Sequence, residues 1–397
     1  MKRIPFLCVS ILIAACSAKE QKESSLTIQP IIVPTSGSSA EPFLYTDDSV
    51  TYLTWVEKGD SGASLKLSRL GNSGWTAPIT VATGSTWFVN WADYPMVAAK
   101  GNKMMAHFLD RNGESKYAYD VKLTMSGDGG VSWSHPIVLH DDKKQAEHGF
   151  VTLLPYGENF FVTWLDGRNT VMEGMEDMDH GHPGAMSLLA AILDPSGNKI
   201  SEWELDNKTC DCCQTTAAIS DNGPVVIYRD RTDDEIRDMS IVRLVDGAWT
   251  KPVPVHMDNW KIAGCPVNGP RAAYKGNTMA VAWFSLAADT AAVNVKFSDD
   301  GGNSFGPLIR MDEGNAIGRV DIELLDTNSA VVTWMEGGEI KLAKVNVNGE
   351  KTDTVTVAKS TEARSSGFPQ LAIAKDRVVV AWTDDNEKTV KTAIILL

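Results

Sequence analysis

The chain of 397 residues carries a formal net charge of -14, and 43% of its residues are hydrophobic. That is enough apolar material for one large β domain or two ordinary ones. The acidic balance excludes ordinary nucleic-acid binding, which needs Lys and Arg clustered against phosphates, and it carries no information about oligomeric state.

Lys2 and Arg3 precede an apolar run from Ile4 to Ala15. The run is too short to span a bilayer and has the layout of a signal peptide. It ends in Ile13-Ala14-Ala15-Cys16, which resembles the lipobox of bacterial lipoproteins. The resemblance implies that residues 1–15 are removed and that Cys16 becomes the lipidated first residue. Residues 16–25 then form a tether, and several acyl chains on one residue anchor a protein stably in a membrane. Ser17 follows in place of an aspartate, which favours an outer-membrane lipoprotein on its periplasmic or cell-surface side. Losing Lys2 and Arg3 takes the net charge from -14 to -16.

From residue 26 onward no stretch has helical periodicity. Short β-branched and aromatic runs punctuated by Gly, Asn and Asp indicate an all-β chain. A self-similar unit recurs in which a strand near a proline or small residue is followed by one ending in an aromatic with an acid close behind. Leu53-Thr54-Trp55-Val56-Glu57, Val162-Thr163-Trp164-Leu165-Asp166 and Val332-Thr333-Trp334-Met335-Glu336 are the clearest second strands. Seven copies at roughly 50 to 60 residues predict a β-propeller over 26–397, with seven four-stranded blades favoured over six. The last copy has three strands, and Leu26 to Val33 is predicted to supply the fourth.

Two turns are more specific. Ser126, Asp128, Gly130 and Trp133, and again Ser298, Asp300, Gly302 and Phe305, are similar to the Asp box, Ser-x-Asp-x-Gly-x-Thr-Trp, of sialidases and sialidase-like propellers. The acid and hydroxyl satisfy backbone donors of a tight turn, glycine takes a positive φ, and the aromatic packs beneath. The resemblance implies a propeller fold and, more weakly, a glycoside hydrolase that holds a carboxylate with three arginines and attacks with a tyrosine activated by a glutamate. The chain departs from that pattern. Its one Arg-Ile-Pro, Arg3-Ile4-Pro5, lies in the leader, and its last tyrosine is Tyr274. It looks closer to a bacterial branch with Trp-x-Asp-Gly-Arg, Cys-Asp-Cys-Cys, Tyr-Arg-Asp-Arg and Gly-Cys-Pro, here ending at Arg168, Cys213, Arg231 and Pro266.

In a four-stranded blade, the loop leading into strand one and the loop between strands two and three share one end of the ring. That geometry predicts a common mouth for Cys210, Cys212, Cys213, Cys265, Arg168, Arg229, Arg231, Asn268 and Arg319. Those arginines with Asn268 are the expected ligand-binding set, for an anionic small molecule or a glycan. Asp230, Asp166 and Glu147 are the candidate catalytic carboxyls. The cysteines are read either as disulfides or as a metal site. In the metal reading, His148 and the loop bearing Met175, Met178, His180 and His182 join them to hold copper or zinc. A non-catalytic interaction scaffold is the third reading.

Overall fold

The computed structural model describes residues 26–47, 49–171, 184–375 and 377–396. Cys16, Met175, Met178, His180 and His182 lie outside the described residues.

Seven antiparallel sheets form a ring. The second strands of successive copies are Thr51–Gly59, Lys103–Arg111, Asn159–Asp166, Gly223–Arg229, Thr278–Ser285, Ser329–Glu336 and Arg377–Asp384, defining blades 1 to 7. Each lies between the first and third strands of its blade. The chain is a seven-bladed β-propeller, as its repeat predicts. The closure is also as predicted: Thr27–Ile31 pairs antiparallel with Thr389–Leu396, running from Thr27 opposite Leu396 to Ile31 opposite Thr392. The first and last strands of the described chain are thereby locked in one blade, and that sheet gains its fourth strand.

The acid behind the aromatic has a physical reason. Trp55, Trp164 and Trp334 are buried between sheets, and each indole N–H donates to the carboxylate two residues on: Glu57 at 3.0 Å, Asp166 at 2.9 Å and Glu336 at 2.8 Å. In a strand, residues two apart share a face, so the motif carries its own partner for a buried indole donor. In blade 5, where no such acid follows, Trp283 donates to Asp258 from the preceding loop at 2.7 Å.

Both Asp boxes form as expected. Ser126 Oγ accepts from Gly130 N at 2.8 Å, and Asp128 Oδ1 accepts from Val131 N and Ser132 N at 3.0 Å. Ser298 and Asp300 repeat the pattern towards Gly302 N and Ser304 N, both at 2.9 Å. Gly130 and Gly302 have φ of 83° and 82°, and a Cβ on Gly302 would crowd Ile241 Cδ1. Hydrogen bonds from Ser304, outweighing partial burial, hold the Asp300 carboxyl down at about 2. These turns join third and fourth strands, at the end of the ring opposite the predicted mouth.

Candidate functional site

The mouth is built from loops of blades 2 to 5, and a repeated lock positions them. Phe150, at φ 52°, turns its N–H onto Asp93 from the loop leading into blade 2, at 2.9 Å to each carboxylate oxygen. Arg319, at φ 53°, likewise donates its N–H to Asn268 Oδ1 of the preceding blade at 2.7 Å. The residue before each is glycine because a Cβ on Gly149 or Gly318 would collide with the locking side chain. Asn268, expected to bind ligand, therefore joins blades 5 and 6.

The arginines are directed inward to protein oxygens. Arg229 is fully buried over the Trp260 ring and donates to the carbonyls of Arg237 (2.7 Å), Asn268 (2.8 Å) and Phe284 (2.8 Å). Arg319 stacks on Trp91 and donates to the carbonyls of Glu362, Ala363 and Gly367. Burial, with Arg364 nearby, lowers its pKa to about 10. Arg168 forms a two-pronged pair with Asp166, 2.8 Å on each prong. Arg231 bridges Asp211 at 3.0 Å and Glu235 at 2.8 Å. Three of these partner sets come from another blade or from a loop distant in sequence, which is why the motifs alone did not reveal them.

The three carboxyls differ sharply. Burial pushes Asp166 up, but hydrogen bonds from Arg168 and Trp164 and the charge of His148 outweigh it, so its pKa is lowered. It is fully enclosed. Asp230 is raised by burial and by Asp206, while it accepts from Arg231 N at 2.6 Å and Ser240 Oγ at 2.9 Å. Glu147 is half-buried and accepts from the Tyr119 hydroxyl at 2.7 Å. Burial, then the nearby acids Asp93 and Asp211 and the Cys265 thiol, push it up to about 8 despite that hydrogen bond. Asp93 itself is pushed up to about 7 by burial. Groups from the loops of blades 2, 4 and 5 thus act on one carboxyl of blade 3 and, with burial, raise its pKa.

A tyrosine donating to a glutamate superficially matches the sialidase arrangement, but the chemistry differs. Tyr119 is only 1% exposed and its hydroxyl is held well above its usual pKa by burial and Glu147. A protonated Glu147 cannot activate it as a base, and an enclosed phenol cannot reach a sugar.

His148 belongs to a different cluster from the cysteines. Its ring lies 3.5 Å from that of His140, nearly parallel. Its Nε2 faces Asp142 at 3.3 Å and Asp166 at 3.6 Å, and its Nδ1 faces the carbonyls of Tyr119 and Ala146. Oxygen acceptors at both nitrogens favour the imidazolium, and its pKa is raised because Asp142 and Asp166 outweigh burial. His148 was singled out in the sequence, but its partners His140, Asp120 and Asp142 were not, because they show no motif spacing.

Cys210, Cys212 and Cys213 place their sulfurs within 4.8 Å of one another, and the Cys265 thiol from the next blade reaches Cys212. All four are free thiols. Arg237, not singled out in the sequence, donates to Cys210 Sγ at 3.3 Å and is anchored by Glu235.

No protein-family model and no curated protein matches the chain. Solved structures do. A protein of unknown function from Dyadobacter fermentans is similar at TM-score 0.51 and 12% identity, over 94% of this chain and 99% of that one. The α-L-arabinofuranosidase Arb93A from Fusarium graminearum, in complex with an iminosugar inhibitor, gives TM-score 0.50 and 11% identity, over 92% and 97%. The NanB sialidase from Streptococcus pneumoniae gives 0.47 and 9%, over 94% of this chain and 95% of that one. The likeness is one of fold. A propeller hosts many chemistries, so the activity has to be argued from the mouth itself.

Proposed function

We propose that the chain is a lipid-anchored envelope propeller that binds a glycan at the mouth formed by blades 2 to 5, with Glu147 as its hydrogen-bond-donating acid. The observation that carries this reading is a half-buried carboxyl that accepts from Tyr119 at 2.7 Å where four blades converge, its pKa pushed up to about 8 by burial and neighbouring acids. A neutral acid donates to a sugar oxygen; a carboxylate cannot. A glycan is favoured over an anionic ligand because Arg168, Arg229, Arg231 and Arg319 already direct their donors to protein oxygens. The arabinofuranosidase of similar fold carries a sugar-like inhibitor, which makes neutral glycans the class to screen first.

The sign of the pH dependence follows. Binding of an oligosaccharide is expected to hold below pH 8 and to fall as Glu147 ionises above it. Glu147→Gln keeps a donor that does not titrate, so its binding should be flat to pH 9, while Glu147→Ala should lose most affinity throughout. Calorimetry at pH 6 and pH 9 checks this; a wild-type affinity that does not change between them overturns the role. If the mouth also hydrolyses its ligand, Glu147→Gln should slow turnover of chromogenic glycosides by about 10²–10⁴-fold, the usual worth of a general acid.

Anchoring at Cys16 has its own readout. Labelled palmitate fed to expressing cells should appear in the wild-type protein and be absent from Cys16→Ser, which should leave the membrane fraction. Equal label in both would remove the anchor from this proposal.

A further inference from the structure

Four cysteines from two adjacent blades meet on the mouth without forming a disulfide. Cys210 and Cys213 are buried with their sulfurs 3.6 Å apart, Cys212 is half-buried against both, and exposed Cys265 closes on Cys212. A disulfide would use two sulfurs at about 2.05 Å and leave the third without a role. Thiolates about 2.3 Å from a shared ion stand roughly 3.8–4.0 Å from one another, so these separations suit several sulfurs around one centre.

Donors and cations converge on two of the sulfurs. Arg237 Nη1 points at Cys210 Sγ from 3.3 Å, and its other nitrogens are fixed by Glu235 at 2.8–3.2 Å. The Asn268 backbone N–H donates to Cys213, and the charge of the buried Arg229 acts on the same sulfur. Donors to metal-bound sulfur of this kind orient the ligands and offset their charge. The loops that carry the sulfurs are themselves held. Cys210 N donates to Arg229 O at 3.0 Å, and the Gln214 side chain accepts from Gly269 N at 2.9 Å and donates to Ala92 O at 2.6 Å, tying the Cys210–Gln214 segment to blades 5 and 2.

From this geometry we infer that Cys210, Cys212, Cys213 and Cys265 form a site for one soft d10 cation, monovalent copper or zinc. Three sulfurs supply a preformed base and Cys265, at the rim, supplies the exchangeable fourth. Sulfur-only ligation selects soft ions and disfavours magnesium and calcium. His148 is not part of this site, because its nitrogens face carboxylates and carbonyls. The inference does not depend on glycan binding at Glu147.

The test uses the full mature chain, reduced and kept free of oxygen. It is titrated with Cu(I) against a chromophoric Cu(I) chelator and, separately, with Zn(II) against a zinc indicator. One ion per chain is expected, with an absorption shell of three or four sulfurs at about 2.3 Å. Whichever ion competes at the lower free concentration is the one assigned. Cys212→Ser should weaken binding at least a hundredfold. Cys265→Ser, at an exposed position, should weaken it about tenfold with an unchanged unfolding midpoint, which separates loss of a ligand from loss of the fold. Failure to bind a stoichiometric ion, a nitrogen- or oxygen-dominated shell, a Cys210–Cys213 disulfide persisting in the reduced preparation, or unchanged affinity in Cys212→Ser would each overturn the site.

Discussion

Removing residues 26–33 is expected to cost about 4 kcal/mol or more, a large share of a typical domain's stability of about 5–15 kcal/mol. Leu26 is buried among Val331, Met335 and Leu342 of blade 6 and Leu371 and Ile395 of blade 7. Val33 is buried between Leu44 and Trp55 of blade 1 and Ala372 and Val379 of blade 7. The segment therefore plugs the seams on both sides of the last blade while its strand satisfies the backbone of Thr389–Leu396. Each lost side chain forfeits roughly 2 kcal/mol of burial, and the bared strand becomes an edge open to aggregation. Urea unfolding followed by tryptophan fluorescence should show a large fall in midpoint, with increased light scattering. A truncated chain that unfolds at the wild-type midpoint would mean that the ring does not rely on this closure.

Arg229→Met is the second large effect, at about 4 kcal/mol. The substitution keeps the bulk of the side chain but leaves the carbonyls of Arg237, Asn268 and Phe284 buried without their donor, each at a cost of about 1–3 kcal/mol before relaxation. It also removes a guanidinium from the face of Trp260, worth up to about 2 kcal/mol when desolvated. Arg231→Met provides the contrast. Its side chain is 19% exposed and pairs with Asp211 and Glu235 near solvent, so its loss should stay within about 1 kcal/mol. Two arginines separated by one aspartate thus have different roles, and chemical denaturation of both variants distinguishes them. Equal, small effects would show that Arg229 does not bolt blades 4 and 5 together.

The mouth was only partly legible in advance. The rule that the chain reverses at every turn correctly brings Cys210–Cys213 and Cys265 together across two blades, and puts Glu147 within electrostatic reach of Asp211 and Cys265. The same rule says nothing about where a side chain points. Arg229 and Arg319 turn inward onto aromatic rings and carbonyls, Asn268 locks the next blade, and His148 stacks on His140 among acids instead of joining the sulfurs. Tyr119 gave no sign of its role, because it lies 28 residues from the glutamate to which its hydroxyl donates.

The repeat, with seven blades favoured over six, the closing strand and the Asp-box turns were legible in the sequence, because each rests on a pattern within the repeat or, for the closure, on a last copy left one strand short. The indole–carboxylate pairs belong to the same class, since a strand places residues two apart on one face wherever it occurs. Only the tertiary structure decided which arginines are structural and which carboxyl has its pKa raised by its neighbours. Those properties depend on burial and on partners from neighbouring blades, and no local spacing encodes the distance between them.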